Sequence, residues 1–112
     1  MTDIYDAVIV GGGHNGMAAA GYLSRAGKKV VVVERLDKVG GMTSSGYMIA
    51  DAPGYLVTPC AVELLFARGS GIIEDLELKK HGLTTIDPDP SYAYLHPDGQ
   101  SIALFRDYKR TA

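Results

Sequence analysis

The chain has 112 residues, 46% of them hydrophobic and 21% charged, with a formal net charge of −2. That balance excludes a disordered composition and a basic nucleic-acid-binding surface, and no apolar run approaches the ~20 residues of a membrane span. Cys60 is the single cysteine, so the chain offers neither an intrachain disulfide nor a C-x-x-C dithiol.

The first six residues carry two acids, Asp3 and Asp6, where a signal peptide needs a basic start. The expectation is a cytoplasmic protein, or a mitochondrial one if the source is eukaryotic. Residues 4–10 are an apolar run rich in β-branched side chains and predict a parallel strand buried on both faces. Gly11, Gly12, Gly13, His14, Asn15 and Gly16 come next. In a strand–turn–helix setting each glycine has its own reason: Gly11 for the sharp turn, Gly13 for close approach of a pyrophosphate to the main chain, Gly16 for packing of helix on strand. The helix N-terminus then attracts an anion through free N–H groups and its dipole, without a lysine; His14 and Asn15 contribute mainly main-chain N–H groups.

The predicted helix is rich in small residues, Ala18, Ala19, Ala20 and Gly21 among them, and ends at Gly27 after Arg25 and Ala26. Residues 29–33 predict a second strand closed by Glu34, whose carboxylate suits an adenosine ribose. Together these elements form a Rossmann-type dinucleotide-binding βαβ unit. A Walker loop is excluded, because Lys28 enters a strand and no Ser or Thr comes after it. Glu34 disfavours a 2′-phosphate and hence NADP, although Arg35 beside it tempers the exclusion.

The residues after Glu34 separate FAD from NAD. The segment ERLDKVGG sets Arg35 ahead of the pair Gly40 and Gly41, and resembles the E-R-x-x-x-x-G-G element of FAD-binding oxidoreductases. With GGGHNG in the turn and AGYLSRAGKKV after it, the run resembles the phytoene desaturase-related FAD-dependent oxidoreductases. IIEDLELKKHGL from Ile72 and PDG from Pro97 are similar to the branch of pyridine nucleotide-disulfide oxidoreductase domain proteins. The resemblance implies FAD rather than NAD, with the glycine pair letting the main chain pass close to the cofactor's phosphates and ribityl chain. Met42 stands where relatives in the wider amine oxidase and desaturase group often carry Arg or Ala. It joins the residues expected at the cofactor but brings no charge. Members of such families run to several hundred residues, so the resemblance further implies an N-terminal piece of a two-domain flavoprotein.

Beyond the glycine pair, residues 43–46 predict a polar turn and 47–49 a short strand. Pro53-Gly54 breaks the chain before a helix over 59–67, with Cys60 near its start as a small buried hydrophobe. A second helix over 70–80 carries Ile72, Ile73, Leu76 and Leu78 on one broad face and is closed by Lys79, Lys80 and Gly82. Residues 83–87 predict a strand and Asp87-Pro88-Asp89-Pro90 a rigid turn. Residues 91–96 and 100–105 flank Pro97-Asp98-Gly99 as a hairpin in which Tyr92 and Tyr94 pack on one face. Asp107 predicts a helix cap. His14, His81 and His96 are too scattered for a metal site.

The expected fold is therefore α/β: a Rossmann-like FAD/NAD(P)-binding βαβ segment over 1–45, a helical insertion over 46–82 and the start of a β-rich substrate domain over 83–112. The resemblance implies an FAD-dependent dehydrogenase, desaturase or oxidase that acts on a C–H bond of an apolar or amine-bearing small molecule. Its catalytic contacts would lie outside this stretch, and the 112 residues alone would be inactive and marginally stable. Two alternatives stay open: a non-catalytic binding protein on the same fold, like the GDP dissociation inhibitors, or an inactive truncated reading frame.

Overall fold

The computed structural model describes residues 3–61 and 63–111. The chain forms two compact units, residues 1–82 and residues 83–112.

The first unit opens with the strand–helix–strand order that the sequence predicts. Strand β1 (Ala7–Val10) and strand β2 (Val30–Val33) pair in parallel, with Ala7 opposite Val30 and Val10 opposite Val33. Pairing extends past both ends. The Asp6 amide donates to Lys29 O at 2.8 Å and the Gly11 amide to Val33 O at 2.8 Å, while the Asp6 carboxylate accepts the Lys29 amide at 2.7 Å. The expected strand over 4–10 thus loses its first residues, for which β2 offers no partners. The expectation of burial on both faces also fails: Val8 is 63% and Val10 85% exposed. The sheet has two strands, and alternate β1 side chains have nothing stacked on them.

Helix α1 (His14–Arg25) connects the strands. Its end is set by Gly27, at φ 77°. The Gly27 amide donates to Ser24 O and the Lys28 amide to Leu23 O, at 3.0 and 3.1 Å. This is the Schellman pair of bonds, which a left-handed residue just past the cap makes possible. Midway along α1, Gly21 receives a side chain from later in the chain: a Cβ there would lie 2.7 Å from Leu76 Cδ1. The adjacent Tyr22 hydroxyl donates to Asp75 Oδ2 at 2.8 Å, and this contact raises the Tyr22 pKa.

The residues around Leu76 depart from the single helix expected over 70–80. They form a short helix α2 (Leu65–Gly69), a one-turn helix α3 (Ile72–Asp75) and a 3-10 turn over Leu78–His81. The break falls at Glu77, the one positive-φ residue other than glycine among those described, at φ 51°. Leu76 and Leu78 are two apart, a spacing that cannot share one helix face; turning at Glu77 leaves both half-buried. Ile73 is the one buried apolar side chain among the described residues.

Two further expectations in this unit are corrected. The helix over 59–67 shortens to Leu65–Gly69, because the Ala61 amide donates to Met42 O at 3.2 Å instead of joining a helix; Val62 lies outside the described residues. Cys60 is consequently exposed rather than buried. The strand over 47–49 is absent, replaced by one antiparallel bridge between Gly46 and Val57. That bridge is stitched by two main-chain bonds of 2.9 Å and flanked by a Ser45–Thr58 hydroxyl contact of 2.6 Å. The pairs 46/57, 45/58 and 42/61 keep one antiparallel register, so residues 42–61 leave and return as an open ribbon.

The second unit is a hairpin and a helical turn. Strand β3 (Tyr92–Leu95) and strand β4 (Ser101–Leu104) are antiparallel, with Tyr94 opposite Ile102. His96 and Gln100 close the connection through a bond of 2.8 Å, with Gly99 at φ 90°. Asp107 caps helix α4 (Tyr108–Thr111), its Oδ1 accepting the Lys109 amide at 3.0 Å. The strand over 83–87 does not form. The Asp87 carbonyl is taken by the Arg106 side chain at 3.0 Å rather than by a ladder. Tyr92 and Tyr94 are exposed instead of packed.

No described helix is long and apolar enough to cross a membrane. Two two-stranded sheets and one buried apolar side chain among the described residues are too little to support an all-or-none transition. The 112-residue polypeptide, purified by itself without ligand, is therefore expected to lose its circular dichroism gradually on heating; a sharp cooperative melt would contradict this.

Candidate functional site

The two glycine segments singled out in the sequence meet through their main chains. The Gly40 amide donates to Gly12 O at 2.7 Å, and Gly13 and Gly40 form an isolated parallel bridge. A Cβ on Gly41 would stand 3.1 Å from Gly13 Cα. The loop after β2 thus folds back onto the turn after β1, in the direction the two parallel strands already run.

Different constraints hold the individual glycines. Gly11, Gly40 and Gly41 have φ of 102°, 123° and 56°, a region where side chains are disfavoured. Gly16 takes an ordinary helical conformation, but a Cβ there would fall 2.1 Å from Gly11 O and 3.3 Å from an Ile9 methyl. Gly12 is buried; its Cβ would meet Val39 Cγ1 at 2.9 Å and Glu34 Oε2 at 3.3 Å. Gly13 is unlike these. It caps α1 at φ −76° and ψ 177°, which any residue adopts, and an added Cβ would find no atom of the chain nearer than Gly41 Cα at 3.9 Å. Nothing among the described residues requires glycine at position 13.

Glu34 leaves β2 and turns its carboxylate onto this junction. Oε2 accepts the Gly12 amide at 2.6 Å and Oε1 accepts the Leu36 amide at 3.0 Å. The Leu36 amide first and the Gly12 amide second hold the carboxyl below the usual glutamate range, against a smaller opposing effect of desolvation; Arg35 adds a minor lowering. A carboxylate offers about four acceptor sites, so two bonds leave capacity for further donors.

The remaining expected positions surround the junction. His14 and Asn15 are exposed in the first turn of α1, a turn without acidic residues. Arg35 is exposed, and the Met42 side chain is 61% exposed while its carbonyl anchors Ala61. Four contributors were not read from the sequence. Val39 covers Gly12; the Lys38 ammonium reaches Ser45 O at 3.2 Å; and the Thr43 and Ser44 hydroxyls donate to Gly40 O and Gly41 O at 2.7 Å each, closing the turn after the pair. The Thr-Ser-Ser run after Gly-Gly-Met was the available signal, since such hydroxyls cap local main-chain acceptors. Among the described residues no group of three metal-ligating side chains is brought together.

The family model for FAD dependent oxidoreductases matches residues 6–85. The chain belongs to the FAD-dependent oxidoreductase family. Among its curated relatives, it is 43% identical over 86 residues to mouse pyridine nucleotide-disulfide oxidoreductase domain-containing protein 2, covering 77% of this chain and 14% of that protein. It is 32% identical over 106 residues to one of the subunits of limonene dehydrogenase from Castellaniella defragrans, covering 95% and 19%. It is 37% identical over 105 residues to phytoene dehydrogenase of Streptomyces griseus, covering 89% and 19%. The resemblance to phytoene desaturases and to the pyridine nucleotide-disulfide oxidoreductase branch is thereby borne out. The chain spans less than a fifth of the length of these relatives, 14% to 19%.

The glycines separate into testable classes. In the complete natural polypeptide, Gly16→Ala forces a Cβ toward Gly11 O and is expected to cost about 3 kcal/mol. Gly13→Ala is expected to stay within about 0.5 kcal/mol of wild type when both are compared free of bound cofactor. Thermal or urea unfolding measures both; equal losses would show that Gly13 too is held by chain packing.

Proposed function

We propose that this chain supplies the ADP-binding half of the FAD site in a flavin-dependent dehydrogenase, desaturase or oxidase. The observation that carries the reading is Gly13. It is a glycine that the packing of the described residues does not demand, at the N-terminus of a 12-residue helix, where an added Cβ would meet Gly41 Cα at an ordinary contact distance of 3.9 Å. A pyrophosphate that must come against main-chain N–H groups explains that glycine, and the family match supplies the dinucleotide.

In this reading Gly11, Gly12 and Gly13 form the turn, and the amides of Gly13, His14, Asn15 and Gly16 face the phosphates. Glu34 accepts from the adenosine ribose with the acceptor sites that Gly12 and Leu36 leave free. Gly40 and Gly41 let the main chain run beside the middle of the cofactor, with Arg35 and Met42 flanking it. NAD is the less favoured dinucleotide, because the family match is to FAD-dependent oxidoreductases. When bound, the flavin supplies a hydride or electron acceptor; the residues of this chain orient it through its nucleotide end and have no acid–base part in the reaction. The ribbon and short helices over 46–82 form an insertion, and 83–112 begins a substrate-binding domain. Relatives named for limonene and phytoene, both hydrocarbons, favour an apolar substrate oxidised at a C–H bond.

The complete natural polypeptide is expected to purify yellow and to release flavin on denaturation. Gly13→Ala is expected to weaken FAD binding at least about tenfold while the melting temperature of the flavin-stripped protein is unchanged, as crowding of a phosphate by a Cβ requires. A colourless protein that reconstitution with FAD fails to tint would overturn the reading.

A further inference from the structure

Glu34 is tied to main chain on both sides of the junction before any ligand is considered. Its Oε2 holds the amide of Gly12, whose carbonyl in turn accepts the Gly40 amide. Its Oε1 holds the amide of Leu36, at the start of the loop that carries Gly40 and Gly41. Gly12 is buried, so its N–H has to find a partner within the fold. One carboxylate thus joins three pieces of chain: the turn after β1, the end of β2 and the returning loop.

We infer that Glu34 is a positioning residue of the glycine cradle, holding turn and returning loop in register for the dinucleotide besides any contact it makes with the ribose. The inference rests on the FAD reading above for its ligand, and on the hydrogen bonds alone for its mechanism. Both partners of the carboxylate are N–H donors, so both oxygens must accept. A glutamine has one acceptor oxygen and presents an NH2 with the other atom, so Glu34→Gln must oppose donor to donor at Gly12 or at Leu36. A ribose hydroxyl donates or accepts, so the ligand contact by itself tolerates glutamine. The substitution therefore separates the two roles.

The charges acting on Glu34 are few. Arg35 lies beside it in the loop and favours the ionised form. The turn presents main chain at Gly12, and the loop presents the apolar Val39 against the same glycine. His14 is the other titratable side chain of the turn and is kept in the variant. The folded carboxyl titrates below its ordinary value, so the clamp is intact above that range and opens as pH falls through the lowered value.

The test uses the complete natural polypeptide. In flavin-stripped protein, amide exchange read by mass spectrometry is expected to quicken at least about tenfold in peptides spanning Gly12 and Gly40 on Glu34→Gln, the scale for loss of a charge-assisted bond. The wild-type FAD dissociation constant is expected to rise as pH falls through the Glu34 range, and that limb is expected to be missing in Glu34→Gln. If the variant does not fold, the wild-type pH series decides: protection of the Gly12 peptide, corrected for intrinsic rate, falls with the carboxylate. Unchanged exchange in Glu34→Gln, or protection independent of pH, would overturn the positioning role. Faster exchange in the variant with a wild type that binds no FAD would support the clamp and overturn the flavin reading alone.

Discussion

The 2.7 Å bond from the Gly40 amide to the Gly12 carbonyl is the constraint on which the first unit depends. Parallel pairing of β1 with β2 brings the two strand ends level, and the loop that leaves β2 then has to reverse against the turn that leaves β1. Only main chain fits between them. A Cβ on Gly41 would press on Gly13 Cα, and Gly40 and Gly41 turn through positive φ to make the approach. Glu34 fixes the same approach from the side, using a charge-assisted acceptor for each of two amides. From this point the ribbon over 42–61 departs and returns in register, so the position of residues far beyond the glycine pair depends on a contact between two glycines.

The junction also explains how a surface with hardly any core can carry a defined site. The chain leaves Val8 and Val10 largely open and Val33 nearly half so, and the turn is held by main-chain bonds and steric exclusion rather than apolar burial. Gly16 under Ile9 and Gly21 under Leu76 let α1 approach the sheet on one side and α3 on the other. Small residues in this helix act as receptors for neighbours. Gly13 is the exception, a small residue whose added Cβ would meet only Gly41 Cα, at 3.9 Å, and the proposed pyrophosphate is what would give that glycine a use.

Elements fixed by local chemistry were legible in the sequence. The strand–turn–helix–strand order, the Gly27 stop, the hairpin around Pro97-Asp98-Gly99 and the Asp107 cap each depend on a few adjacent residues, and each formed. The misread elements were decided by partners distant in sequence. Residues 59–64 resemble a helix until the Ala61 amide meets Met42 O. Residues 70–80 have the composition of one helix, but Leu76 is drawn to Gly21 and the chain turns at Glu77. The role of Glu34 was legible only in part: its acid character at a strand end pointed outward to a ribose, whereas its bonds to Gly12 and Leu36 required the folded loop. Val39 carried no periodic signal, because it packs on a glycine from a non-repetitive segment.

The most direct test is a crystal structure of the complete natural polypeptide with FAD, read for the distance between the pyrophosphate oxygens and the main-chain nitrogens of residues 13–16. Hydrogen-bond distances are expected there, with the adenosine ribose against Glu34 and the Gly12–Gly40 bond intact. A dinucleotide bound elsewhere, or a pyrophosphate held off these amides with the space above Gly13 left empty, would contradict the proposed role of the glycine cradle.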